Sequence, residues 1–147
     1  MDRRSGMTLL EAVVVLAIAA ILCAVAVPGV VAARGAFRSH GAARRLALVL
    51  REAQARAQAS GTPVRVTVDP AGRYVVSEAG ATPQVVACGE LGATVGGNYP
   101  DGSVQFGAGG LPSVAGGSSP RAGHFDVAEA ARGRTVTVQL GGCVRCA

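Results

Sequence analysis

Four kinds of residue in this chain could do chemistry, and their spacing decides which of them does. Glu11 puts a carboxylate at the start of an apolar run with no charged or strongly polar residue from Ala12 to Val27. Cys143-Val144-Arg145-Cys146 is a C-x-x-C, with Cys88 and Cys23 further back. The two histidines, His40 and His124, stand far apart. All 14 basic residues are arginine, and the formal net charge is +5. An arginine-only basic set suits phosphate or carboxylate recognition, or reflects a GC-rich genome. The even spread of these residues argues against a dedicated basic arm.

No catalytic constellation follows from these. A thioredoxin-like C-x-x-C needs its first cysteine at a helix N-terminus, where the helix field lowers the thiol pKa; Cys143 follows a strand pattern instead. Cys88 and His124 are zinc-ligand types but lack a second paired motif. The glycines of Gly107-Ala108-Gly109-Gly110 have neither the lysine nor the helix that a phosphate cradle needs. No Ser/His/Asp or Cys/His set stands out. The expectation is a non-enzyme with no metal and no cofactor. Cys23, inside the apolar run, reads as a small packing residue. If the distal part lies outside the cytoplasm, Cys88, Cys143 and Cys146 give one disulfide and one leftover thiol. The bond joins Cys88 to Cys143 or Cys146, or closes the tail as Cys143–Cys146.

The apolar run must position Glu11. Met7 to Val27 is 21 residues, roughly 31 Å as a helix, about one hydrocarbon core. Arg3 and Arg4 flank it, so the positive-inside rule keeps the short leader cytoplasmic and sends the C-terminal part across. As a secretory signal, Ala24-Val25-Ala26 would be the cleavage site, yet Glu11 sits where the apolar core should begin. As a lipoprotein signal, Leu22 stands before Cys23 where a small residue is expected. A fourth reading accounts for the acid. Ser5-Gly6-Met7-Thr8-Leu9-Leu10-Glu11 resembles the prepilin signal of type IV pilins and type II secretion pseudopilins: a short basic leader ending in glycine, then a hydrophobic residue, threonine, and glutamate at the fifth mature position. Pro28 falls where pilins often carry a helix-kinking proline.

That resemblance implies cleavage between Gly6 and Met7 by a membrane prepilin peptidase, whose cleft accepts the side-chain-free Gly6 in extended form, and N-methylation of Met7. A carboxylate in a bilayer centre costs on the order of 2.5–3.5 kcal/mol on insertion scales. In an assembled filament Glu11 of one subunit can neutralise the Met7 amine of a neighbour and so set axial register. The plainer reading leaves Glu11 at the headgroup level.

Beyond the run, Leu46, Val49, Leu50, Ala53 and Ala57 recur at helical spacing and predict one apolar face, with Gly61 and Pro63 as the stop. Pro28, Gly29, Gly35 and Gly41 should bend or loosen the middle. A helix from Met7 to Ser60 would reach roughly 80 Å, too long for a compact domain. Pro63 to Val68 alternates with period two, Asp69-Pro70-Ala71-Gly72 is a turn, and Arg73 to Val76 returns, which predicts a hairpin. Gln84 to Cys88, Ser103 to Phe106, His124 to Val127 and Arg134 to Leu140 are further strand candidates. Phe106 to Gly123, rich in Gly, Ser and Pro, should be a loop. The expected organisation is a leader over 1–6, a transmembrane helix over 7–27, its periplasmic extension over 28–61 and a β-rich domain over 62–147. The fold class is α+β: a long N-terminal helix, transmembrane in its first half, packed on a small antiparallel sheet.

Two segments sharpen the resemblance. Arg56 to Val66 is similar to the helix end and first strand of the GspH/FimT pseudopilins. Asp101-Gly102-Ser103-Val104-Gln105-Phe106, a glycine loop, then Arg134-Thr135-Val136-Thr137-Val138 match that family's order. The resemblance implies a pilin-like fold and a minor pseudopilin of type II secretion, acting in protein export. The alternative is a type IV pilus minor pilin in pilus assembly or DNA uptake. Implied partners are other pilins or pseudopilins, the prepilin peptidase/N-methyltransferase, an inner-membrane assembly platform and membrane lipid. The implied place is the bacterial inner membrane, single-pass, with a periplasmic C-terminal domain. The family tail often reads Gly-Arg-x-Arg and is where DNA contact is placed in some pilus members. Here it is Gly142-Cys143-Val144-Arg145, with cysteine for the first arginine. Arg132, Arg134 and Arg145 could still form a small phosphate-neutralising patch, without stacking aromatics; the plainer reading is a solvated strand face.

Overall fold

The structure is a computed structural model that describes residues 9–79, 83–117, 119–129 and 132–146, without the side chains of residues 25–28, 30–33 and 132. Gly6 and Met7 lie outside the described residues. Helix α1 covers Leu9–Ser60. The chain divides into two units, residues 1–34 and 35–147.

Among the described side chains of the first unit, Glu11 and Arg34 apart, α1 is apolar on every side. Leu9, Leu10, Leu16, Ile21 and Leu22 are all exposed. A helix of that kind is stable only when other apolar material surrounds it. Pro28 falls inside α1.

In the second unit the helix has a buried face. Ala42, Ala43, Leu46, Leu50, Ala53 and Ala57 are buried, and Val49 is partly buried beside them. These positions follow the 3.6-residue period, so one stripe faces the core. The alanines among them allow close approach of backbone to sheet. Gly61 ends the helix in a left-handed conformation at φ +68, and its N–H still donates to the Ala57 carbonyl at 3.0 Å. Only glycine adopts that backbone without penalty, so the expected stop is made by the expected residue.

Two antiparallel sheets follow. Strands β1 (Val64–Val68), β2 (Arg73–Glu78), β3 (Gln84–Glu90), β5 (Ser103–Phe106) and β6 (Pro112–Val114) form one, in the order β3-β2-β1-β5-β6. Strands β4 (Thr94–Gly97), β7 (Gly123–Glu129), β8 (Arg132–Val138) and β9 (Val144–Cys146) form the other, in the order β4-β7-β8-β9. The inward residues alternate: Val64, Val66 and Val68; Val104 and Phe106; Phe125 and Val127; Val136 and Val138 are all buried. Burying a valine or phenylalanine fully is worth roughly 1.5–3 kcal/mol each. Tyr99 and Phe125 add an aromatic contact with ring centroids 5.2 Å apart.

The sequence reading, which also has no strand at β4 (Thr94–Gly97), differs from this in three further places. There are two sheets rather than one. Residues 106–123 are not wholly loop, because β6 pairs Pro112 with Phe106 and Val114 with Val104; Pro112 is tolerated as the first residue of an edge strand, where no ladder donor is needed. Strand β8 stops at Val138, and Gly142, at φ +80, closes a Gln139–Gly142 turn into β9.

Candidate functional site

Glu11 lies in the first turn of α1 and is exposed. An acid there is favoured by the positive end of the helix dipole. The neighbouring Leu9, Leu10, Val13, Val14 and Val15 are exposed apolar residues, so the carboxylate is set in a greasy surface. Among the described residues no helix is long and apolar enough to cross a membrane. The continuously described side chains run only from Leu9 to Ala24, sixteen residues, against the ~20 that a span takes.

Arg134 and Arg145 lie on opposite faces of their sheet. Arg145 on β9 pairs with Thr137 on β8, and Thr137 pairs with His124 on β7. Opposed residues of an antiparallel pair share a face, so Arg145, Thr137 and His124 lie in one row. Arg134 is an odd number of residues from Thr137 and pairs with the buried Val127. It therefore belongs to the opposite face of the sheet. Arg132 pairs with Glu129, whose carboxylate accepts a hydrogen bond from Arg38 Nη1 at 3.0 Å. The face carrying Arg145 also holds Asp126, which accepts from Thr135 Oγ1 at 2.7 Å and lies 3.4 Å from His124 Nε2. Acid, base and hydroxyls alternate there, which is a mixed polar face rather than a phosphate-binding one.

The expected disulfides are absent. Cys88, Cys143 and Cys146 are free and exposed, as is Cys23. Cys88 sits on β3, an edge strand of the five-stranded sheet, whereas Cys143 precedes β9 and Cys146 ends it, at an edge of the other. Within the tail, three residues of strand at ~3.3 Å each separate the two Cα atoms by roughly 10 Å, beyond the about 7 Å limit for a bridge. Among the described residues no group of three or more His, Cys, Asp or Glu could hold a metal ion.

Two features escaped the sequence reading. The helix reaches into the sheets through polar side chains: Arg51 Nη2 donates to the Val144 carbonyl at 2.8 Å, and Gln54 Nε2 to the Gly110 carbonyl at 2.8 Å. The second is a cleft of about 390 Å³ lined in part by Asp69, Tyr99, Asp101 and Phe125. Its one sequence signal is the Asp101-Gly102 pair, a residue combination suited to a tight turn.

Comparison with known proteins adds to this geometry. Residues 1–27 match the model of the prokaryotic N-terminal methylation motif, and residues 42–142 match that of the type II transport protein GspH. No curated protein matches the chain. Among solved structures, the minor pseudopilin EpsH from the type 2 secretion system of Vibrio cholerae is similar at 16% identity and TM-score 0.60, covering 75% of this chain and 96% of EpsH. The type IV minor pilin FimU of Pseudomonas aeruginosa is similar at 16% identity and TM-score 0.56, covering 74% of this chain and 91% of FimU. At that identity the likeness is one of fold: an N-terminal helix packed on antiparallel sheets.

Proposed function

The chain belongs to the type II transport protein GspH family, and from that premise we propose that it is a minor pseudopilin, a structural subunit of a type II secretion pseudopilus acting in protein export. The observation that carries the reading is the order of two matched segments, the methylation motif over 1–27 and the GspH domain over 42–142. A peptidase-processed anchor in front of a filament-forming domain is the arrangement an assembling subunit needs.

In this reading residues 1–6 are a leader removed after Gly6, and Met7 becomes the methylated N-terminus. Residues 7–27 hold the subunit in the inner membrane as a single pass, residues 28–61 extend the helix with Pro28 as a kink, and residues 62–147 lie in the periplasm. The apolar surface of Leu9, Leu10, Val13 and Leu16 is covered by lipid before assembly and by neighbouring pilin helices after it. Glu11 meets the Met7 amine of a neighbour, so that two charges costly apart in hydrocarbon are accommodated together. Partners are the prepilin peptidase/N-methyltransferase, other pseudopilins and the inner-membrane assembly platform. The role is structural rather than enzymatic.

The test is intact-mass and N-terminal peptide analysis of protein taken from membranes. A start at N-methylated Met7 supports the reading; a start at Val27 means ordinary secretion and overturns it. Glu11→Ala then separates processing from assembly, with processing retained and incorporation into the fibre lost.

A second reading, a type IV pilus minor pilin contacting DNA, draws on the fold likeness to FimU. The opposite facing of Arg134 and Arg145 counts against a shared phosphate site. Affinity of the protein for duplex DNA that does not fall as salt rises would sink it, because phosphate contacts release counterions.

A further inference from the structure

A long charge asymmetry runs along α1. No acid stands between Glu11 and Glu52, whereas Arg34, Arg38, Arg44, Arg45 and Arg51 all do, beside His40. From Ala12 to Ala33 there is no charge of either sign, so every arginine of this group follows an uncharged stretch. Arg51 is committed to the Val144 carbonyl. Arg38 donates through Nη1 to Glu129 but keeps its side chain 74% exposed, which leaves its other N–H groups to solvent. Arg45 is exposed and has no hydrogen bond or ion pair among the described residues.

Arg38 and Arg45 line one open cleft of about 470 Å³, completed by Gly41, Ala42, Leu91 and Gly92. Two helical turns separate the arginines, roughly 10 Å of rise, and Gly41 falls between them within about 60° on the same side of the helix. Ala42 and Leu91 are buried, so the cleft presents two guanidinium groups over glycine backbone. A Cβ built on Gly41 or Gly92 meets nothing within 4 Å, which means the floor is open rather than filled. Among the described residues no carboxylate lines it. Two like charges flanking an empty, acid-free hollow repel each other across it, and an anion between them removes that repulsion.

We propose that this cleft holds the phosphate of an anionic membrane lipid, with the Arg38 and Arg45 guanidinium groups on its oxygens. Planar forks of N–H donors match phosphate geometry. Chain length selects the source of the phosphate. Arg38 follows Ala33, the last residue of the uncharged stretch, by five positions, at most roughly 18 Å of chain however it bends. The cleft therefore stays close to the surface that the apolar run enters, and lipid headgroups are the phosphates of that surface. Arginines next to a membrane anchor are drawn to anionic headgroups over about a Debye length. The assignment rests on residues 7–27 being that anchor, and holds whether the fibre belongs to secretion or to a pilus.

The test uses the full chain, purified from membranes into uncharged detergent micelles, with amide resonances followed by NMR. The probes are dihexanoyl-phosphatidylglycerol, which is anionic, its zwitterionic phosphatidylcholine counterpart, and inorganic phosphate. Saturable shifts at Gly41 and Gly92 are expected with the anionic lipid, weakening as salt rises. Arg45→Gln should weaken its binding about fivefold, the scale of one arginine at an anionic surface, and it removes no internal bond. Gly41→Leu keeps both charges, suits a helix better than glycine and occupies the floor, so it should weaken binding as well. Arg44→Gln removes the same charge about 100° round the helix and should change nothing. Equal binding of phosphatidylcholine, equal binding of inorganic phosphate, or undiminished binding in either Arg45→Gln or Gly41→Leu would overturn the proposal. The N-terminal mass of the same sample separates two failures. A chain that starts at Met7 without lipid preference sinks this site alone, whereas a start at Val27 sinks the anchor and the site together.

Discussion

Arg51 and Val144 are 93 residues apart in the chain and joined by one hydrogen bond, from Arg51 Nη2 to the Val144 carbonyl at 2.8 Å. Strand β9 is only three residues long and pairs on one side with β8. A short edge strand near a terminus frays unless something ties it down, and the helix supplies the tie. Arg51→Ala should destabilise the protein by about 1 kcal/mol, below the roughly 1.5–3 kcal/mol of a buried hydrogen bond from a charged group because the site is part-exposed. Hydrogen exchange should localise the loss to the amides of Arg145 and its partner Thr137 on β8. Uniform loss of protection across both sheets would contradict this.

Gly72 holds the β1–β2 turn at φ +80, and a Cβ there would collide with the Ala93 carbonyl. Its N–H donates to Asp69 and its carbonyl accepts from Leu91, at 2.9 Å each. Gly72→Ala should therefore cost about 2 kcal/mol or more, combining backbone strain with a displaced strand connection. Gly141, which has open space around a built Cβ and no left-handed φ, is the control: its replacement by alanine should change the melting midpoint little.

Burial pushes the Tyr99 phenol up from 10.0 to about 12, against a smaller opposing pull from Arg121. The unfolded chain releases this proton near pH 10, and the folded chain releases it later. Stability contributed by the neutral phenol is therefore complete below pH 10 and is lost as pH rises towards 12. Denaturant midpoints measured across that window should fall, and Tyr99→Phe should flatten this part of the profile. An identical pH dependence in the variant would remove Tyr99 as the cause.

All three cysteines of the 35–147 unit are free and exposed. A maleimide added to native protein without reductant should label Cys88, Cys143 and Cys146. Quantitative labelling of one residue alone would mean that the other two are bonded and would restore the pairing expected from cysteine number.

Leu50 is fully buried in the helix–sheet core. Leu50→Ala should cost about 2–5 kcal/mol, the range for a large-to-small core change. Leu48, two residues earlier and exposed, should tolerate the same change within about 0.5 kcal/mol. Equal losses at both positions would mean that the helix face is misassigned.

The helix face and its stop were legible because each rests on a local pattern: apolar residues at 3.6-residue spacing, then Gly61 and Pro63. Strands β1 and β2 were legible as alternation around a turn. Strands β4, β6 and β9 were not. They are short, and two of them carry Gly or Pro; β4 exists because Val95 meets Val127 far along the chain, while β6 and β9 are brief returns that pair Pro112 with Phe106 and Val144 with Val138. The arginine cluster failed for a related reason. Arg132, Arg134 and Arg145 are near in sequence, but facing depends on which residue of β8 meets Arg145, and pairing with Thr137 sets Arg134 on the other side.

The strand order has a consequence for how the domain is made. After β3 the chain leaves the five-stranded sheet for β4, returns for β5 and β6, and leaves again for β7. The central strand β1 waits for β5, with Val64 meeting Phe106, while β4 waits for β7, with Val95 meeting Val127. Each sheet thus holds a strand whose mate is synthesised only after the chain has visited the other. No cut between β4 and β7 leaves two self-sufficient halves, so split fragments should associate only as a complementing pair. A chain threaded vectorially through a membrane pore would expose unmated strand edges until β7 emerges, and that interval is when a chaperone would be needed.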